Sequence, residues 1–225
     1  MFKAVIFDID GTLINSVDMH AHAWQEAFAH FGKKVAFDAV RSQVGKGGDQ
    51  LLPVFLGKEE QKRFGEALDK FRGELWKKKY MHNVKPFPHV RELVQRVKSD
   101  GMQIALASSA KEDEVEYYKR VANIEDLVEE QTSADDAKRS KPHPDIFEAA
   151  LGRLNDVKPT EAVTIGDSPY DAIAAGKLKM TRIGVLSGGF PEKDLWDAGF
   201  SEIYQSCADL LERYDESLLA RKKAA

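Results

Sequence analysis

Two carboxylates one residue apart, Asp8 and Asp10, follow directly on the apolar run Ala4-Val5-Ile6-Phe7 near the start of this 225-residue chain. A buried strand has no structural use for acids at its end, whereas a phosphoryl-transfer site does. Asp8 is placed to act as a nucleophile, splitting hydrolysis of a phosphate monoester through an aspartyl-phosphate. Asp10 stands about 6 to 7 Å further along an extended backbone. From there it can protonate a leaving oxygen and then deprotonate an attacking water.

A second acidic pair, Asp167 and Asp171, follows another apolar run, Ala162-Val163-Thr164-Ile165. If a helix begins at Ser168, the spacing of four puts both acids within one turn. Carboxylates gathered around a phosphate repel by about 4 kcal/mol per pair at 4 Å in an effective dielectric of about 20. A divalent cation relieves that repulsion, and an all-oxygen set favours Mg2+. Taken singly, these residues have plain structural explanations: the acids as caps or solvated turns, Ser108 as a turn residue, Lys141 as a surface lysine. Their joint placement at strand ends, in one order, is what points to chemistry.

Positioning them requires a particular scaffold. Apolar runs at 4–7, 103–107, 162–165 and 181–185 alternate with helical patterns, as in an α/β fold around a parallel, Rossmann-like sheet. Two further short strands are expected near 127–130 and 202–204. Ligands of such sheets bind at the carboxyl ends of the strands, where Asp8-Ile9-Asp10-Gly11, Ser108-Ser109 and Gly166-Asp167-Ser168 stand. Between the first two strong strands, residues 16–85 show only helical patterns. Ala23, Ala27 and Phe31 form one stripe, and Phe64, Leu68, Phe71 and Leu75 form another. This block reads as a small α-helical cap domain inserted into a core of residues 1–15 and 86–225, with hinges near Ser16-Val17 and Lys85-Pro86-Phe87-Pro88.

Four segments in order, Asp8-Ile9-Asp10-Gly11-Thr12, Ile104-Ala105-Leu106-Ala107-Ser108-Ser109, Ser140-Lys141-Pro142-His143-Pro144-Asp145-Ile146-Phe147 and Gly166-Asp167-Ser168-Pro169-Tyr170-Asp171, span most of the chain. Together they resemble the haloacid dehalogenase superfamily on its phosphatase side, nearest the phosphoglycolate phosphatase and β-phosphoglucomutase group. The resemblance implies Mg2+ held by Asp8, the backbone carbonyl of Asp10 and Asp167, with Asp171 bound directly or through water. It implies Lys141 as the cation holding nucleophile and phosphoryl oxygens together, and Ser108 as a donor to a phosphoryl oxygen. Amides of Ile9, Asp10 and Ser109 would add donors, and Thr12 belongs with the substrate-binding turn. Asp10 separates the chain from the halide-removing members, which use no acid there.

Residues of the helical block are candidates for substrate contact: His20 on its first helix, and Lys46 in Gly45-Lys46-Gly47-Gly48-Asp49. That loop otherwise reads as a flexible turn between helices, and His20 and Trp24 as packing. The loop is not a P-loop, for it lacks the Gly-x4-Gly-Lys-Ser/Thr order. Nor is Asp8-Ile9-Asp10-Gly11 an EF-hand, since Met19 stands where a glutamate is required. The rival reading is an isomerase resembling β-phosphoglucomutase. Against it, Thr12 follows Asp-Gly as is usual in the phosphatases, and the cap loop lacks an arginine to grip a second anionic group. A non-catalytic binding protein on the same fold would be expected to have lost one of Asp8, Asp10, Lys141 or Asp167.

The motifs and the resemblance imply a small phosphorylated metabolite as the partner, and composition adds no other. With 33 basic and 37 acidic residues and a net charge of −4, nothing favours nucleic acid or an anionic membrane. No apolar stretch approaches the roughly 18 to 20 residues that span a bilayer. One cysteine, Cys207, precludes an internal disulfide and suits a reducing compartment. After Met1 the chain goes straight into Phe2-Lys3-Ala4-Val5 without a secretory pattern, which reads as cytoplasmic. Residues 220–225, with Arg221-Lys222-Lys223, are expected to fray.

Overall fold

The computed structural model describes residues 2–220. The basic tail at 221–225 lies outside the described residues. Eight strands run in chain order: β1 (Ala4–Phe7), β2 (Ile14–Asn15), β3 (Lys85–Pro86), β4 (Gln103–Ala107), β5 (Glu130–Thr132), β6 (Ala162–Gly166), β7 (Thr181–Val185) and β8 (Glu202–Tyr204). Six of them form one parallel sheet in the order β5-β4-β1-β6-β7-β8.

Strand β1 is buried on all four residues because helices cover both faces of the sheet. Its alternate side chains feed two cores. Val5 and Phe7 join Ile104, Leu106, Val163 and Ile165 on one face, against helices 90–99 and 112–122. Ala4 and Ile6 join Ala105, Ala107 and Ala162 on the other, where small side chains let helices 145–153 and 169–177 pack closely. The edge strand β5 lies further along the chain than its expected position near 127–130. Leu127 and Val128 sit in a turn closed on the Ile124 carbonyl, and Leu127 packs into the core. Pairing starts only at Glu130, opposite Ala105.

The order of strands places the site. From β1 the chain crosses to β4 on one side and later to β6 on the other, so β1 stands at the switch point of the sheet. Phe7 is level with both Leu106 and Ile165. One step further, Asp8 is flanked by the chain leading to Ser108 and the chain leading to Asp167.

Between β2 and β3, which pair antiparallel as a two-stranded ribbon, the chain is helical. Helices Val17–His30, Phe37–Arg41 and Gly48–Phe55 precede a long helical run from Lys58 to Tyr80. The block has its own core of Val17, Ala21, Trp24, Phe28, Leu51 and Leu68, among others. Phe64 and Phe71 pack against it, but Leu75 does not. A π turn at Trp76–Tyr80 shifts the helix register there. Trp76, fully buried, takes the inward position and joins the α/β core instead.

Candidate active site

Asp8, at the end of β1, is 6% exposed. Lys141 reaches it from the loop before helix 145–153, its Nζ donating to Asp8 Oδ1 at 2.5 Å and to the Ala107 carbonyl at 2.8 Å. The same ammonium lies 2.7 Å from Asp171 Oδ1. A lysine buried this completely loses hydration, yet Asp171 and Asp8 outweigh the loss and hold it protonated above its ordinary range. One cation does not balance three acids. Burial, against the pull of Lys141 and with a push from Asp171, raises Asp8 to about 7. Asp167 is raised as well, by burial and then by the Asp8 and Asp171 charges.

That surplus negative charge is a test of metal fit. Oxygens of Asp8, Asp167 and Asp171 lie within 4.8 Å of one another, all buried. The donors are hard oxygens, as Mg2+ requires. The backbone keeps the space open, because a Cβ on Gly188 would fall 1.6 Å, and one on Gly11 2.3 Å, from Asp167 Oδ2. The residues present suit a divalent cation.

Asp10 belongs to this site but turns its carboxylate away from the acidic trio. Its Oδ1 accepts from Ser16 Oγ at 2.5 Å and lies 3.0 Å from His20 Nε2. Burial pushes its pKa up, but His20 and Ser16 outweigh it, and Asp10 is held below the usual carboxylate range. His20 is in turn stacked on Trp76, with ring centroids 3.6 Å apart. His20 lines the cleft as expected of a substrate-contact candidate, and its Nε2 is also held by Asp10.

Thr12 departs most clearly from expectation. It is 0% exposed, and its hydroxyl lies 3.1 Å from Asp8 Oδ2 and 3.3 Å from Asp167 Oδ1. It spaces two carboxylates and presents nothing to a substrate. Ser108 Oγ is buried beside the site and accepts the Ala110 N–H at 3.0 Å. Ser109 donates to the Gly45 carbonyl at 3.3 Å. Lys46 lines the same cleft, with its ammonium 2.6 Å from Gln43 Oε1 and 4.5 Å from the Tyr170 ring centroid. The glycine loop is seated on the core: Gly47 N–H donates to Ser140 Oγ at 2.9 Å. A side chain at Gly47 would meet Ser140 at 2.7 Å, so only glycine permits this approach.

The family model described as haloacid dehalogenase-like hydrolase matches residues 5–185. The chain belongs to the haloacid dehalogenase-like hydrolases. It is 31% identical over 198 residues to a phosphorylated carbohydrates phosphatase of Thermotoga maritima, covering 88% of this chain and 91% of that one. It is 26% identical to a phosphoglycolate phosphatase of Mannheimia succiniciproducens, covering 93% and 97%. In three dimensions it is similar to a hydrolase from Pseudomonas syringae, with TM-score 0.85, 27% identity and coverage of 95% and 98%.

Two residues of the hydrolase's cleft escaped the sequence reading, Arg72 and Glu114. The loop at 45–49 does lack an arginine, but one arrives from helix Glu66–Leu75. The signal was present. Arg72 stands four residues after Leu68 and four before Trp76, both fully buried. Glu114 stands four before Tyr118 on the buried side of helix Glu112–Ala122. A charge on an inward stripe is a site signal that a search for strand-end acids does not register.

Proposed function

We propose that the hydrolase is a Mg2+-dependent phosphatase that cleaves a small phosphate monoester through a phosphoryl group carried on Asp8. One observation carries this reading: Asp8 is held by Lys141 and Thr12 at the switch point of the sheet, beside two further buried acids, with Asp10 two residues on.

In the first step an Asp8 carboxylate oxygen attacks phosphorus and the bond to the leaving oxygen breaks. Asp10 gives that oxygen a proton. In the second step Asp10 takes a proton from water, whose oxygen attacks phosphorus. The Asp8–phosphorus bond breaks, releasing inorganic phosphate and a free carboxylate. His20 and Ser16 hold Asp10 ionised while the cleft is empty, and the negative charge of an arriving phosphate favours its protonated form. Lys141 neutralises charge on Asp8 and on the transferring group. Asp8, the Asp10 carbonyl, Asp167 and Asp171 are the residues proposed to hold Mg2+. When bound, the ion offsets the crowded charge and polarises the phosphoryl oxygens.

Residues 16–85 are proposed to act as a cap, hinged on the β2–β3 ribbon, that closes to exclude water and opens to release product. Phosphate release from a panel of phosphorylated metabolites, with and without Mg2+, tests the proposal. Release that depends on the ion is expected. Release from no ester, or at equal rates after chelation, would refute it.

A further inference from the structure

The cleft that begins at Asp8 and Asp10 ends at Arg72 on the helical block and Glu114 on the core. Neither residue is used by the chemistry above, and both are incompletely satisfied. Glu114 is 2% exposed, and among the described residues no hydrogen bond reaches its carboxyl. Burial raises that carboxyl above its ordinary range while the nearby Arg72 charge pulls it back. Arg72 Nε is buried without a partner. The Arg72 guanidinium lies over the Trp24 ring at 4.8 Å, and its one carboxylate contact, to Asp69, is long at 3.4 Å. Buried polar groups are ordinarily paired, and a site that leaves both a donor and an acceptor open is built for a ligand that brings both.

The chemistry of that ligand follows from the pair. A distal carboxylate or second phosphate offers only acceptors. It would suit Arg72 but would face the buried Glu114 as a like charge. Lys46, which also lines the cleft, donates one of its three N–H bonds to Gln43 and lies over the Tyr170 ring. Hydroxyl groups on adjacent carbons satisfy both residues, donating to Glu114 and accepting from Arg72. The Trp24 ring, 4% exposed beneath the Arg72 guanidinium, edges the same cleft.

We infer that Arg72 and Glu114 form the selectivity end of the cleft, and that the preferred substrates are phosphate esters of polyhydroxylated alcohols, sugar or polyol phosphates, over esters bearing a second anionic group. The inference rests on the phosphatase reading. It also turns the mutase alternative aside, because Glu114 opposes the second phosphate that a bisphosphate intermediate carries.

The test measures kcat/KM of the Mg2+-loaded enzyme for a hexose phosphate, a pentose phosphate, phosphoglycolate, pyrophosphate and p-nitrophenyl phosphate. The sugar phosphates should exceed phosphoglycolate and pyrophosphate by at least about tenfold. Glu114→Gln, which keeps shape and removes charge, and Arg72→Met should each lower kcat/KM for the sugar phosphates about tenfold more than for p-nitrophenyl phosphate, which has no hydroxyl groups to lose. A preference for phosphoglycolate or pyrophosphate, or variants that slow every ester alike, would overturn the inference while leaving the phosphatase intact. Failure to hydrolyse any ester, p-nitrophenyl phosphate included, would overturn both.

Discussion

Asp49 grips Ser140 with both carboxylate oxygens, Oδ2 accepting the backbone N–H at 3.1 Å and Oδ1 accepting the hydroxyl. Asp49 opens the helix Gly48–Phe55 of the helical block, and Ser140 immediately precedes Lys141. The contact ties the helical block to the chain that carries the ammonium to Asp8, and would couple the proposed closure to the placing of that ammonium. Asp49→Ala should lower kcat by about tenfold to a hundredfold, the size of effect expected when a reacting group is misplaced by around 1 Å. Its melting temperature should stay close to that of the parent, because Asp49 is exposed. Steady-state kinetics and a thermal melt together check this, and an unchanged kcat would remove the link.

Lys141 concentrates both stability and chemistry. Replacing it with methionine leaves Asp8, Asp167 and Asp171 buried with no cation among them. Removing one partner of a buried ion pair typically costs about 3–5 kcal/mol. Denaturant unfolding of the metal-free variant should show a loss of that order, partly recovered by Mg2+. A variant as stable as the parent without metal would mean that the three acids do not carry the charge assigned to them.

Asp8 and Asp167 also contribute to how stability varies with pH. Asp8 moves from an ordinary 3.8 up to about 7, and Asp167 moves in the same direction. A carboxyl raised on folding binds its proton more tightly in the native state. The Asp8 contribution to the stability of the metal-free protein is therefore full at low pH, falls as pH rises from about 3.8 to about 7, and is gone above that. Mg2+ should raise the melting temperature more above this window than below it. A shift independent of pH would contradict the proposed ligands.

His20 lowers Asp10, and Trp76 holds His20 by stacking. His20→Ala should raise the Asp10 pKa and move the corresponding limb of the pH–kcat/KM profile upward. The limb should move while the Mg2+ dependence of activity does not. An unmoved limb would remove Asp10 as the titrating group.

Much of this arrangement was legible from residue types alone, and the reasons are local. The strand ends at Asp8, Ser108 and Asp167 could be read because fully buried parallel strands are continuous apolar runs that stop abruptly at polar residues. Lys141 was reachable only through the resemblance of its flanking segment, since no periodicity distinguishes a lysine that folds back over a sheet. Thr12 was misjudged because a hydroxyl between two carboxylates looks, in sequence, like any turn threonine. Strand β5 was displaced because an edge strand of Glu130, Gln131 and Thr132 has no apolar signature, while Leu127 does. Arg72 and Glu114 were missed because charges on helices are usually solvated, and only the burial of their neighbours four residues away reveals otherwise.

The transient acyl phosphate on Asp8 is the centre of the account, and it can be observed directly. Acid quenching during turnover, followed by peptide mass spectrometry, should find one phosphoryl group on the peptide containing Asp8. With p-nitrophenyl phosphate, whose leaving group needs little help from an acid, Asp10→Asn should still form the acyl phosphate but hydrolyse it slowly. It should therefore retain more of it than the parent under the same quench. A phosphoryl group on another residue, or none while turnover proceeds in both proteins, would contradict the assignment.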